Sequence, residues 1–276
     1  MKRVLSLLNL NILLAVAAVL LTVSSQIQLG MKPRLQPFLI LIFLATFFVY
    51  NRHLLIAAVA RKKRMKLNYF VLLVLAAGFV ASAVFTKTEV LIALLAMGVL
   101  TVFYSFPSPR INKSFFKLRE IPYLKIFLIT LVWSAATILL PVINEGSQIF
   151  SPPVIFLLAA RLFFIFAIAI QFDIRDMQTD HDSGLKTIPL LINRDNSVAL
   201  SYLSLLFSLL ISLFQYKIQN KWFITEALCI SLVTTFWFLK FQFFEKRGQL
   251  YYHVLDGALL LQGLLVVGFY LLNQYN

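Results

Sequence analysis

Four of the chain's 11 acidic residues, Asp173, Asp176, Asp180 and Asp182, fall within ten positions, and the first 88 residues contain none. On a helix turning about 100° per residue, Asp173, Asp176 and Asp180 point within about 60° of one another, whereas Asp182 and Arg175 point the opposite way. Three carboxylates on one face repel unless a cation sits among them. Oxygen ligands of this kind suit Mg²⁺, which takes one or two carboxylates and completes its shell with water and substrate phosphate. A solvated loop whose acids balance Arg175 and Lys186 is the plainer alternative. The i, i+3, i+7 spacing and the scarcity of acids elsewhere favour metal or diphosphate binding.

The elements that must position these residues are membrane helices. Of the 276 residues, 61% are hydrophobic and 13% charged, against about 25% charged in soluble domains. There is too little polar side chain to cover a water-facing surface, so a lipid bilayer has to be the solvent. The 27 Phe and long aliphatic runs exclude a disordered or collagen-like chain, and one cysteine, Cys229, excludes a disulfide scaffold. A span takes about 20 mostly apolar residues and must satisfy its own backbone. On that basis the chain is an all-α, multi-pass bundle with about nine transmembrane helices. The expected spans are near 4–25, 36–58, 68–86, 89–106, 122–143, 152–174, 197–216, 221–242 and 250–272. They form one integral-membrane domain over 1–276, built as two pseudo-repeats of about four helices plus a last helix.

A net charge of +14 raises the question of nucleic acid, but the basic residues sit between apolar runs and form no soluble basic face. Nineteen Lys and Arg fall on one set of alternate connections and five on the other, with Arg161 inside a span. Cytoplasmic loops carry the excess, which predicts a cytoplasmic N-terminus in a bacterial-type inner membrane and no nucleic-acid partner. The opening run after Lys2-Arg3 exceeds a signal-peptide core and reads as a retained first span.

The string Asp173-Ile-Arg-Asp176-Met-Gln-Thr-Asp180-His-Asp-Ser-Gly184-Leu-Lys186-Thr187-Ile-Pro189 resembles the second Asp-rich motif of the UbiA superfamily of intramembrane prenyltransferases. Such proteins are nine-helix membrane enzymes. They carry a first motif, N-x-x-x-D-x-x-x-D, near the end of the second helix. Here Asn51 matches, but Leu55 and Val59 stand where both carboxylates belong.

The resemblance implies transfer of an isoprenoid chain from a polyprenyl diphosphate to a lipophilic or aromatic acceptor, assisted by Mg²⁺. It assigns Asp173, Asp176 and Asp180 to metal and catalysis. Asn51, Arg52, Tyr104, Arg110, Lys125 and Lys186 become candidate substrate contacts. Lys125 leads these because apolar helix follows it at once, although any one of them could be an ordinary positive-inside residue. A faint repeat sets Asn51-Arg52 opposite Asp173-Ile174-Arg175 across a pocket between the halves. Asp256 is a weaker candidate for the same cavity, and Arg161 is expected to snorkel or to pair with a carboxylate. His53, His181 and His253 lack metal-ligand spacing. The degenerate first motif keeps open a non-catalytic isoprenoid-binding relative. A small-solute transporter fits less well, because the acids cluster at one rim instead of lying deep in several spans.

Overall fold

The computed structural model describes the backbone of residues 2–60, 65–105, 123–182, 184–240 and 249–275, and the side chains of 12–51, 73–101, 123–182, 184–240 and 254–274. The described residues are helical throughout, with short connections. In chain order the helices are α1 (Lys2–Gln28), α2 (Pro37–Ala60), α3 (Met65–Val84), α4 (Thr88–Ser105), α5 (Leu124–Glu145), α6 (Pro152–Asp182), α7 (Ile188–Ile192), α8 (Arg194–Ile218), α9 (Trp222–Lys240) and α10 (Gln249–Tyr275). Each span expected from the sequence overlies one of the long helices. Two features differ. Helix α6 runs eight residues past its expected end, so the whole Asp cluster is helical, and the five-residue α7 interrupts what reads as a plain connection.

Among the described residues, five helices are long and apolar enough to cross a membrane: Leu124–Glu145, Pro152–Asp182, Arg194–Ile218, Trp222–Lys240 and the Val254–Gln274 part of α10. Shorter apolar stretches lie in α1 to α4. Large apolar side chains such as Leu73, Val80, Ile92 and Leu95 are exposed on α3 and α4, as a lipid-facing surface requires.

Local chemistry sets the helix ends. Proline opens α6, where a missing N–H costs nothing. Gly146 closes α5 in the left-handed region (φ 67°), and Ser147 N–H reaches back to the Val142 carbonyl at 3.0 Å, a Schellman end.

Packing between helices relies on small residues that allow close approach. Ser197, Ser201, Ser204, Ser208 and Ser212 make a buried stripe on α8, and the Ser201 hydroxyl donates to the Ala167 carbonyl of α6 at 2.7 Å. Helices α1 and α10 approach each other closely at Gly263. A Cβ there would lie 2.8 Å from Leu20 Cβ and 2.9 Å from the Leu20 backbone carbon. Arg161, expected to snorkel or meet a carboxylate, does neither. It is buried in α6 and donates to the hydroxyls of Thr137 at 3.2 Å and of Ser24 and Ser25 at 3.4 Å each. The guanidinium thereby ties α1, α5 and α6 with planar, directional hydrogen bonds.

Gly263→Ala forces backbone against backbone and is expected to destabilise the protein in detergent by about 1–3 kcal/mol. Gly257→Ala, where a Cβ meets nothing within 4 Å, is the control and keeps or slightly raises the thermal midpoint, because alanine favours a helix interior over glycine. Equal melting of the two variants would mean that α1 and α10 are not in close contact at this point.

Candidate functional site

The site is built where the start of α5 meets the end of α6. Gly184, at φ 69°, ends α6 with a second Schellman arrangement: its N–H bonds the His181 carbonyl at 2.9 Å, and Leu185 N–H bonds the Asp180 carbonyl at 2.9 Å. The chain then turns so that the Lys186 carbonyl accepts from Tyr123 N–H at 3.1 Å. Thr187 precedes α7, whose first turn holds Pro189. Tyr123 itself adopts φ 66°, a strained conformation for a residue with a side chain, which the surrounding contacts must sustain. Three residues into α5, Ile126 is buried against Ala169, Ile170 and Ile174 of α6. Lys125 is thus fixed against the Asp-bearing turn of α6 by apolar packing on one side and a backbone hydrogen bond on the other.

Lys125 Nζ lies 2.7 Å from Asp173 Oδ1 and 3.4 Å from Asp180 Oδ2. The two carboxylates are seven residues apart and point within about 20° of each other on the helix. Their side chains are 4% and 7% exposed, against 23% for Lys125. Asp176 is engaged elsewhere: Arg175 Nε and Nη2 donate to its two oxygens at 2.7 and 2.6 Å, a bidentate pair. The same guanidinium stacks over Phe172, 5.1 Å from the ring centre, and lies within electrostatic reach of Asp256, which is buried in α10.

Along α5, Leu128, Ile129, Val132, Trp133, Ala136 and Thr137 form one stripe, and Lys125 stands at its head by the same i, i+3, i+4 spacing. That stripe lines a cavity of about 800 Å³. The opposite wall includes Ile42, Thr46, Val49 and Tyr50 of α2 with Leu94 and Met97 of α4. Tyr50 and Trp133 meet edge to face at 6.2 Å, and Trp133 Nε1 donates to the Tyr50 hydroxyl at 3.0 Å. The lining is otherwise almost wholly aliphatic.

The sequence places a pocket between two halves of the bundle. This cavity is lined by α1 to α5, with no lining residue from α6 to α10 among those described. The residues 51 and 173 therefore do not face one another across it. Asn51 is buried, and its Nδ2 donates to the Phe47 carbonyl at 2.8 Å. Lys186 is exposed and contributes its backbone carbonyl to Tyr123. The side chains of Arg52, His53, Leu55, Val59 and Tyr104, and all of Arg110, lie outside the described residues. His181 is exposed beside Asp182. Sequence reasoning missed Tyr123, Tyr50 and Trp133. Their signals were faint: Tyr123 immediately precedes an apolar helix, and aromatic side chains in spans are too common to single out.

The UbiA prenyltransferase family model matches residues 51–250. The chain belongs to the UbiA prenyltransferase family. No sequence among the curated proteins matches it significantly. Solved structures share the fold at low identity. A UbiA homolog from Archaeoglobus fulgidus is 14% identical with a TM-score of 0.62, covering 97% of this chain and 99% of that one. A UbiA homolog from Aeropyrum pernix K1 is 12% identical with a TM-score of 0.60, covering 95% and 98%. A structure of digeranylgeranylglyceryl phosphate synthase is 13% identical with a TM-score of 0.55, covering 98% of each. UbiA family members are intramembrane prenyltransferases, and with five helices apolar enough to span, this chain is an integral membrane protein.

Prenyltransferases of the family generally use divalent metal ions. The donor set here does not match the three-carboxylate Mg²⁺ site that the sequence leads one to expect. Asp173 and Asp180 converge, but on Lys125 Nζ, and both oxygens of Asp176 belong to Arg175. Among the described residues no group of three His, Cys, Asp or Glu side chains is arranged to hold a metal.

Two nearly buried carboxylates sharing one ammonium make Lys125 a strong stabiliser, because removing one partner strands the other charges. Lys125→Met is expected to destabilise the protein by about 3 kcal/mol in a metal-free melt. Adding Asp173→Asn should restore part of that loss. Additive effects in this double-mutant cycle would show that the two groups do not interact.

Proposed function

We propose that this UbiA-family protein transfers an isoprenoid chain from a polyprenyl diphosphate to a lipophilic or aromatic acceptor within the bilayer. The supporting observation is the Lys125–Asp173–Asp180 cluster at the head of the stripe that lines an apolar cavity. Ionising an allylic diphosphate breaks the C–O bond and leaves its electron pair on the diphosphate, with positive charge on the prenyl carbon. The acceptor carbon then bonds to that cation and releases a proton. Such a reaction needs fixed positive charge at one end and a dry, electron-rich wall at the other. Lys125 offers the first, with Asp173 and Asp180 holding its ammonium in place and Asp176 holding Arg175. Asn51, Arg52, Tyr104, Arg110 and Lys186 are further contacts for the donor's head. Tyr50 and Trp133 offer aromatic faces to a carbocation, and the α2–α5 cavity would accommodate the chain. The excess of basic residues on alternate connections supports a cytoplasmic N-terminus and a diphosphate site on the cytoplasmic side of a bacterial-type inner membrane.

Leu55 and Val59 favour one competing reading, a relative that binds isoprenoid diphosphates without turning them over. Labelled prenyl diphosphates of graded length, supplied with Mg²⁺ and a membrane lipid extract, distinguish the two. Turnover predicts diphosphate release that falls about a hundredfold in Asp173→Asn. Saturable binding with no release from any donor would establish the non-catalytic relative.

Ala45 lies on the α2 wall of the cavity. Ala45→Phe narrows the space and should shift donor preference toward shorter chains in a competition assay. An unchanged preference would remove the cavity from the donor's path.

A further inference from the structure

We infer that Lys125 takes the place of a divalent ion at this site, so that the chain grips its diphosphate with a tethered ammonium and binds it without Mg²⁺. This rests on the prenyl-diphosphate reading above. Two independent features lead to it. The first-motif positions that would supply carboxylates for one ion are Leu55 and Val59. The second-motif carboxylates are already engaged by protein cations: Asp173 and Asp180 share Lys125, and Asp176 holds Arg175. Neither motif is thereby left with the free carboxylates that a divalent ion requires.

Geometry reinforces the charge argument. Mg²⁺ holds oxygens at about 2.0–2.1 Å in a nearly ideal octahedron. The Asp173 and Asp180 oxygens lie 2.7 and 3.4 Å from the Lys125 nitrogen. A metal ion at that point would have to draw both carboxylates inward and expel the ammonium. Lysine suits the task because its ammonium is a compact point charge with three donors on a flexible stem. It can hold two carboxylates and still turn toward an anion arriving from its exposed side. A cation carried by the chain also loses no translational freedom when the substrate binds.

The test uses the full-length protein in detergent and two probes. Mn²⁺ is titrated and its free form followed by electron paramagnetic resonance. Separately, a non-hydrolysable prenyl thiolodiphosphate is titrated in EDTA or in Mg²⁺. The wild type should take up no stoichiometric Mn²⁺ at micromolar concentrations, and its Kd for the analogue should agree in the two buffers within about threefold. Lys125→Met should gain one Mn²⁺ site, lose more than about tenfold in analogue affinity in EDTA, and recover in Mg²⁺. Lys125→Arg should stay insensitive to EDTA. Stoichiometric Mn²⁺ uptake by the wild type that disappears in Asp173→Asn overturns the inference, as does a wild-type Kd that rises more than about tenfold in EDTA. These wild-type arms decide the question even where Lys125→Met fails to fold. Should the analogue bind in neither buffer while the Mn²⁺ results hold, the prenyl-donor reading fails and the replacement of metal by lysine stands.

Discussion

The site depends on a single ammonium group placed between two carboxylates that have almost left water. Asp173 and Asp180 point the same way from α6, and burying both without a cation would be prohibitive. Lys125 makes the arrangement possible, and much of the local structure serves to keep it there. The Schellman end at Gly184 turns the chain back, the Lys186 carbonyl receives Tyr123 N–H, and Ile126 packs into the α6 surface. Tyr123 is held at a positive φ directly before the helix that carries the lysine. Strain of this kind persists only where neighbouring contacts over-determine the backbone, which is characteristic of functional sites.

The stripe that begins at this charged head runs along α5, past the cavity, to Thr137, and a different polar arrangement stands at that far end. From Lys125 to Thr137 is 12 residues, or roughly 18 Å along the axis. There Arg161 donates to Thr137, Ser24 and Ser25. The two poles solve the same problem differently. At the head, charge is matched by charge at a partly exposed rim. At the far end, a buried guanidinium is satisfied by hydroxyls, and no carboxylate lies within ion-pair distance of it among the described residues. Hydroxyl partners keep the interhelical bonds directional without adding further buried charge to the bundle.

The fold was legible in the sequence because its governing constraint is one-dimensional. A stretch that must satisfy its own backbone in lipid declares itself by length and hydropathy, and Gly146 and Pro152 mark real helix ends for reasons that hold wherever they occur. The site was only half legible. Helical spacing correctly aligned Asp173 with Asp180. It could not reveal that Asp176, about 60° away, turns to its neighbour Arg175, because an adjacent-residue fork depends on side-chain rotamers and not on periodicity. Nor could spacing reveal which helix supplies the counter-cation, since Lys125 lies 48 positions before Asp173 and meets it only through tertiary packing. The position of the α1–α5 cavity was not legible for a related reason. An apparent internal repeat describes how helices are arranged, whereas the position of a void depends on which side chains are small or absent, and Ala18, Ala45, Gly98 and Ala136 put that void among α1 to α5.

Identities of 12–14% with structures that align over nearly the whole chain show how little of the sequence this fold dictates. Lipid-facing positions accept any aliphatic side chain, and helix contacts require only that some residue be small. Charged groups have far less latitude, because each one in or near the bilayer must find a partner. The loss of acidic residues at 55 and 59 therefore cannot be an isolated change. With fewer carboxylates to hold divalent ions, the charge balance at the mouth shifts, and a lysine between the remaining pair gives a cluster whose three carboxylates meet two protein cations. The cluster keeps a net negative charge, so an anionic head group is met only as the ammonium swings outward on its flexible stem. On the reading proposed above, a tethered ammonium supplies part of the positive charge that a diphosphate leaving group needs, and it does so from within the chain.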